Sequence, residues 1–177
     1  MHGDGNGWAA APAGAKAWGR YGAAGLFLVA ANSEASVGPQ VLLQHRASWT
    51  HSGGTWALPG GARDSHESPA DAAIREAVEE CQIDPNLVSV KHTEITAGPF
   101  PGDPARPELA GDWSYTTVVA VTTAGAPIPV VPNEESEDLQ WVELSAVDTY
   151  ALMPAFAEVY PHLREVAEAI LSDTFSG

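Results

Sequence analysis

Apolar and polar positions alternate in two rhythms along this chain. The compact apolar run from Gly22 to Ala30 reads as a strand. Val41 to Arg46 reads as its partner after a turn near Gly38-Pro39. A polar loop containing Ser52-Gly53-Gly54 follows, and Trp56 to Gly61 leads out of it. From Ser68 to Cys81 the rhythm changes to helical spacing. Leu87 to Ala97 alternates as a strand, and Tyr115 to Thr123 is rich in β-branched residues that favour one. Between them lies a long loop, Gly98 to Gly111, with Pro99, Pro101, Pro104 and Pro107. Leu139 to Glu143 reads as a short strand. Glu158 to Leu171 reads as a helix, with Leu163, Val166, Ala167 and Ile170 on one side. Strands interleaved with two helices predict an α/β sandwich, a mixed sheet with a helix on each face. Met1 to Gly19 is rich in glycine and alanine and reads as a flexible lead, although Trp8 and Trp18 are unusual in such a segment. The boundaries that follow are an extension over 1–20, a domain over 21–172 and a tail over 173–177.

The first helix carries the candidate chemistry. Ser68 is placed to cap it, Pro69 suits its first position, and Asp71 completes an S-x-x-D pattern. With about 100° per residue and Glu76 at zero, Glu80 falls near +40° and Glu79 near −60°. The three carboxylates share one face, with Ala72 and Ala73 between them. Ile74, Ala77, Val78 and Cys81 fall on the opposite side, which the pattern assigns to the core. Like charges one turn apart destabilise a helix, and no lysine is interleaved to relieve them. A divalent cation among them would, and hard cations such as magnesium take oxygen ligands.

These residues carry a family resemblance. Gly61, five residues, Glu67, seven residues, Arg75-Glu76, two residues and Glu79-Glu80 resemble the Nudix box, G-x5-E-x7-R-E-U-x-E-E-x-G-U with U a bulky aliphatic residue. Seven of its nine defined positions are met over 23 residues; Ala77 and Gln82 depart. Gln82 replaces a glycine that would end the helix in a left-handed conformation, which costs other residues about 1 kcal/mol. The resemblance implies a Nudix-type α/β/α sandwich and a Mg2+- or Mn2+-dependent hydrolase that cleaves a diphosphate linkage in a nucleoside diphosphate derivative. It implies a nucleoside triphosphate, oxidised or not, ADP-ribose, a dinucleoside polyphosphate or a nucleotide sugar as substrate. By the same resemblance Glu79 and Glu80 match the metal-binding pair, Glu76 a metal ligand or base, and the Gly61 carbonyl a further ligand. Arg75 and Glu67 match a structural pair in which the arginine orients the glutamates. Glu135, in the acidic run Asn133 to Asp138 ahead of Trp141, matches a base or metal ligand supplied from outside the box. Arg46, Trp56 and Tyr115 are candidates for contacts to the substrate. A non-catalytic nucleotide-sensing module on the same fold is the alternative, and it normally lacks box glutamates that this chain keeps. An isomerase on this fold would need a catalytic cysteine and metal-binding histidines, and His45 and His51 have no ligand partners at suitable spacing.

Composition narrows the field. The 177 residues suffice for one domain with a sizeable core, and 45% are apolar. A net charge of −15 argues against nucleic-acid polymers and anionic membranes as partners, but not against a small phosphorylated nucleotide whose charge metal ions offset. The single cysteine, Cys81, excludes an internal disulfide and suits a reducing compartment. No secretory leader is evident, and Ala23 to Ala31 is too short to span a bilayer, so a cytoplasmic protein is expected. Analogy with proteins of the fold adds a homodimer to the expectations.

Overall fold

A computed structural model of the chain describes residues 3–33, 36–50 and 52–175. Two short strands, β1 (Trp8–Ala10) and β2 (Lys16–Trp18), form a hairpin ahead of the main sheet. The sheet is built from β3 (Ala23–Ala30), β4 (Gln40–Arg46), β5 (Trp56–Ala57), β6 (Gly60–Ala62), β7 (Val88–Phe100), β8 (Trp113–Thr122) and β9 (Ser136–Glu143). Its main path runs β5-β4-β3-β8-β7, with β6 added to β3 and β9 to β4. β3 is parallel to β8 and antiparallel to β4 and β6, so the sheet is mixed.

β3 shows why the sheet must be covered twice. All eight of its residues are buried. Phe27 and Val29 point to one face with Val41, Leu43 and Val119, and meet Leu163 and Ala167. Leu26 and Leu28 point to the other with Leu42 and Val118, and meet Ala73 and Ala77. The residue alternation of a strand thus feeds two separate cores. Helix α1 (Pro69–Cys81) covers the second face, and α2 (Pro154–Phe175) supplies Leu163 and Ala167 to the first. The α/β/α sandwich is as expected.

Three expectations need correction. From residue 3 onward the lead is not a loose segment: Ala9 and Ala10 are buried, and Ala10 N donates to Ala110 O at 2.9 Å. Glycine and alanine there serve close packing rather than freedom. The Gly98–Gly111 loop is shortened by β7, which runs on to Phe100 and pairs there with Trp113. Finally, α2 begins before Glu158 and runs through residues 173–175, which were assigned to a tail.

Helix α1 also sits differently from its wheel. Its buried residues are Ala72, Ala73, Ala77, Glu80 and Cys81, while Ile74 and Val78 are only half-buried. The buried arc therefore overlaps the carboxylate face instead of opposing it. Small alanines let the helix lie close to β3 and β6, and that approach draws the glutamates against the sheet. Ser68 caps α1 through its hydroxyl, which accepts from Asp71 N at 3.1 Å. Gln82 ends it at φ 56° and ψ 35°, the left-handed conformation in which the box pattern places glycine.

Candidate functional site

Two backbone segments are clamped onto the carboxylate side of α1. At its start, Arg75 makes a bidentate pair with Glu67: Nε donates to Oε2 and Nη2 to Oε1, each at 2.8 Å. The same guanidinium reaches the Ala62 carbonyl at 3.0 Å and Glu76 Oε1 at 2.9 Å, and lies 3.6 Å from Glu79 Oε1. A planar fork matches this set of acceptors in a way a lysine ammonium does not. The Arg75 hydrogen bonds hold the Glu67 carboxyl below the usual carboxylate range, and Glu67 in turn raises the Arg75 pKa.

At the other end, the chain before β9 satisfies carbonyls that the helix leaves unpaired. Val131 N donates to Cys81 O at 2.8 Å, and Asn133 N to Glu80 O at 3.1 Å. The Asn133 side chain donates to Glu79 O at 3.3 Å and accepts from Glu135 N at 2.9 Å. Buried Gln44 donates to Ser136 Oγ at 2.8 Å, tying the same turn to β4. These bonds set Glu135 beside Glu80.

Glu80 is 3% exposed and accepts from Gly60 N at 2.9 Å. Burial pushes its carboxyl well above the usual range, and the neighbouring carboxyl of Glu135 and the charge of Glu76 push the same way. Burial also raises Glu76, against the pull of Arg75. A Cβ at position 61 would lie 2.6 Å from Glu76 Cδ, so a side chain there would push the Glu76 carboxylate out of its place. Among the described residues no three acids or histidines converge as a coordination group. Arg75 holds Glu76 and is close to Glu79, whereas Glu80 is turned to the Gly60 amide. The donor set itself suits a hard divalent cation: all are carboxylate oxygens, and two lie where burial and like charge make them costly to ionise without a counter-ion.

The other predicted residues divide. Tyr115 lies over the β3 backbone, where a Cβ on Gly25 would come 1.8 Å from its hydroxyl oxygen. Burial drives its phenol pKa up, with the charge of Glu80 adding and that of Arg46 opposing, so these three residues share one electrostatic neighbourhood. Trp56 is not brought to the carboxylates. It stacks on His45 with centroids 4.5 Å apart, meets Tyr150 edge-on at 5.2 Å, and packs against the core under α2. His51 lies outside the described residues. Asn133 and Asp64 were not anticipated. Asp64 Oδ2 lies 3.9 Å from Arg75 Nη2, and no spacing rule singles out an aspartate within the variable part of the box.

Comparison with known proteins bears on the family and the fold. The family profile described as NUDIX domain matches residues 20–163. A Mycobacterium tuberculosis protein named "Putative 8-oxo-dGTP diphosphatase 3" is 46% identical over 168 residues, covering 93% of this chain and 71% of that one. The crystal structure of a Nudix hydrolase from M. smegmatis, RenU, superposes with a TM-score of 0.80 at 45% identity, covering 94% of this chain and 97% of that one. A C. elegans Ap4A hydrolase shares the fold at 20% identity, with a TM-score of 0.61 over 83% of this chain and 98% of its own.

Proposed function

The chain belongs to the Nudix hydrolase family, and from that premise we propose that it hydrolyses a phosphoanhydride bond of a nucleoside triphosphate, an oxidised purine nucleotide being the favoured substrate. The observation that carries this reading is the buried Glu80 set against Glu135 on a helix whose other glutamates are fixed by the Arg75–Glu67 pair. The 46% identical relative, by its name, supports the choice of substrate.

Glu76, Glu79 and Glu80, with the Gly61 carbonyl, would hold Mg2+ or Mn2+. When bound, the cation neutralises phosphate oxygens and lowers the pKa of water. The remaining work falls to the chain. Arg75 orients Glu76 through its 2.9 Å hydrogen bond and pulls towards its ionised form, against the effect of burial. Glu76 and Glu135 are the acceptors for the proton of the attacking water. Arg46 and Tyr115, which share an electrostatic neighbourhood with Glu80, contact the substrate. Among the described residues no helix is long and apolar enough to cross a membrane.

The test is product release from a panel of nucleoside triphosphates, 8-oxo forms included, with and without Mg2+. Metal-dependent cleavage to a nucleoside monophosphate and pyrophosphate is expected. Glu80→Gln should reduce kcat by at least about a hundredfold, beyond the loss usual for residues that only support a metal ligand. Undiminished cleavage by that variant would remove the helix from the mechanism.

A further inference from the structure

The extension ahead of β3 reaches the site. Residues 3–7 lie across the loop that presents Glu67, at positions the box pattern leaves variable. Asp4 accepts from Ser65 N at 2.8 Å and from the Ser65 hydroxyl. Gly5 N donates to Asp64 Oδ1 at 2.8 Å, while Asp64 Oδ2 faces the Arg75 guanidinium at 3.9 Å. Asp64 thus joins the extension to the arginine that orients Glu76. Its backbone is also tied to Glu67, because Asp64 N donates to Glu67 Oε1 at 2.9 Å and Glu67 N to Asp64 O at 3.1 Å.

The fit is tightest at Gly5, where a Cβ would lie 2.1 Å from the Arg63 carbonyl oxygen; a Cβ on Gly3 would lie 1.9 Å from Asp64 Oδ2 and displace that carboxylate. Gly5 is buried although it stands near the chain start. From behind, Arg20 N donates to Gly5 O and Gly19 N to Gly7 O, each at 2.8 Å. The β1–β2 hairpin that continues this segment is anchored in turn on the 101–112 loop, where Arg106 donates to Gly14 O at 2.8 Å and to Ala15 O at 3.1 Å. The segment is therefore held on both sides, and it touches the loop at Asp64 and Ser65, immediately before the Glu67 end of the clamp.

We propose that residues 3–7 form a positioning strap that holds the Asp64–Glu67 loop, and through it the Arg75 guanidinium, in the geometry that orients Glu76. This rests on the catalytic reading given above. The strap bears on Asp64 and Ser65, next to the Arg75–Glu67 clamp, so it acts on the chemical step rather than on substrate affinity. Small displacements of a catalytic group lower the rate by one to two orders of magnitude.

Two variants test this with the full chain. Gly5→Ala adds one methyl and removes no charge. Asp4→Ala truncates an exposed side chain, which leaves the core intact. Both should lower kcat for Mg2+-dependent nucleoside triphosphate cleavage by about tenfold to a hundredfold, with KM within about twofold of the parent. Asp4→Asn, which keeps an acceptor, should recover most of the rate. The Arg75 Nε–H resonance, protected by Glu67 in the parent, should broaden by exchange in Gly5→Ala and Asp4→Ala. A kcat within about twofold of the parent in both variants overturns the strap, as does a lowered melting temperature with kcat retained. If the parent cleaves no nucleotide, the catalytic reading fails by itself and the resonance still decides: a sharp, protected Arg75 signal in Gly5→Ala overturns the strap, and its loss upholds the positioning role.

Discussion

At the scale of single residues, Glu80 opposes stability to function. Its carboxyl is buried beside Glu135, and the fold favours its protonated form. A group whose folded pKa is raised stabilises the fold at low pH and loses that contribution as pH rises through the elevated value. The metal-free protein should accordingly lose stability from the ordinary carboxylate range upward. Glu80→Gln should raise its melting temperature at pH 8 while abolishing turnover, and Mg2+ should stabilise the parent more than the variant. Calorimetry across pH, with and without metal, measures all three effects. Gln82 is a simpler case. It occupies the left-handed region at φ 56° without a glycine's freedom. Gln82→Gly should gain about 1 kcal/mol. In a chain of this length that is about 2–4 °C in melting temperature, with kcat unchanged.

At the scale of elements, the site is made by what holds the two ends of α1. The Arg75–Glu67 fork fixes the start, and both partners were legible because the box pattern names them. The segment 131–135 fixes the end through α1 carbonyls, which sequence patterns do not record. Asn133 joins the two roles, bonding Glu79 O and the Glu135 amide. Asn133→Ala should leave metal affinity near that of the parent and lower kcat about tenfold by releasing Glu135. Steady-state kinetics paired with Mn2+ titration separates this outcome from a lost metal site. The rotation of α1 was hidden for a related reason. A wheel ranks Ile74 and Val78 as core because they are large and apolar. The sheet instead accepts Ala73 and Ala77, since only short side chains permit the close approach that Glu80 needs to reach Gly60 N.

At the scale of the whole molecule, the two cores on either side of β3 share that strand and so join both helices to one sheet. Cys81 reports on the α1 side. The residue is 0% exposed, and burial, with Glu80 adding, pushes its thiol up to about 12. It should resist a thiol reagent such as Ellman's reagent at pH 8 in the native protein and react at once in denaturant. Labelling without denaturant would show that α1 detaches locally. The hairpin β1–β2 extends the packing toward the site, and the glycine-rich composition that suggested a loose lead is what permits its close approach.

By itself the sequence determined the order of the main-sheet strands and the helices, though not the β1–β2 hairpin, along with the capped start of α1 and the presence of its carboxylates. Periodicity, cap residues and the spacing of the box are local properties, written within about twenty residues of one another. Only the tertiary structure decided that Glu80 is buried, that Glu135 stands against it, that Trp56 belongs to the opposite core and that Gly5 reaches Asp64. Each of these depends on the meeting of segments distant along the chain, and such meetings are set by packing and by the need to pair buried backbone groups. No local pattern carries that information.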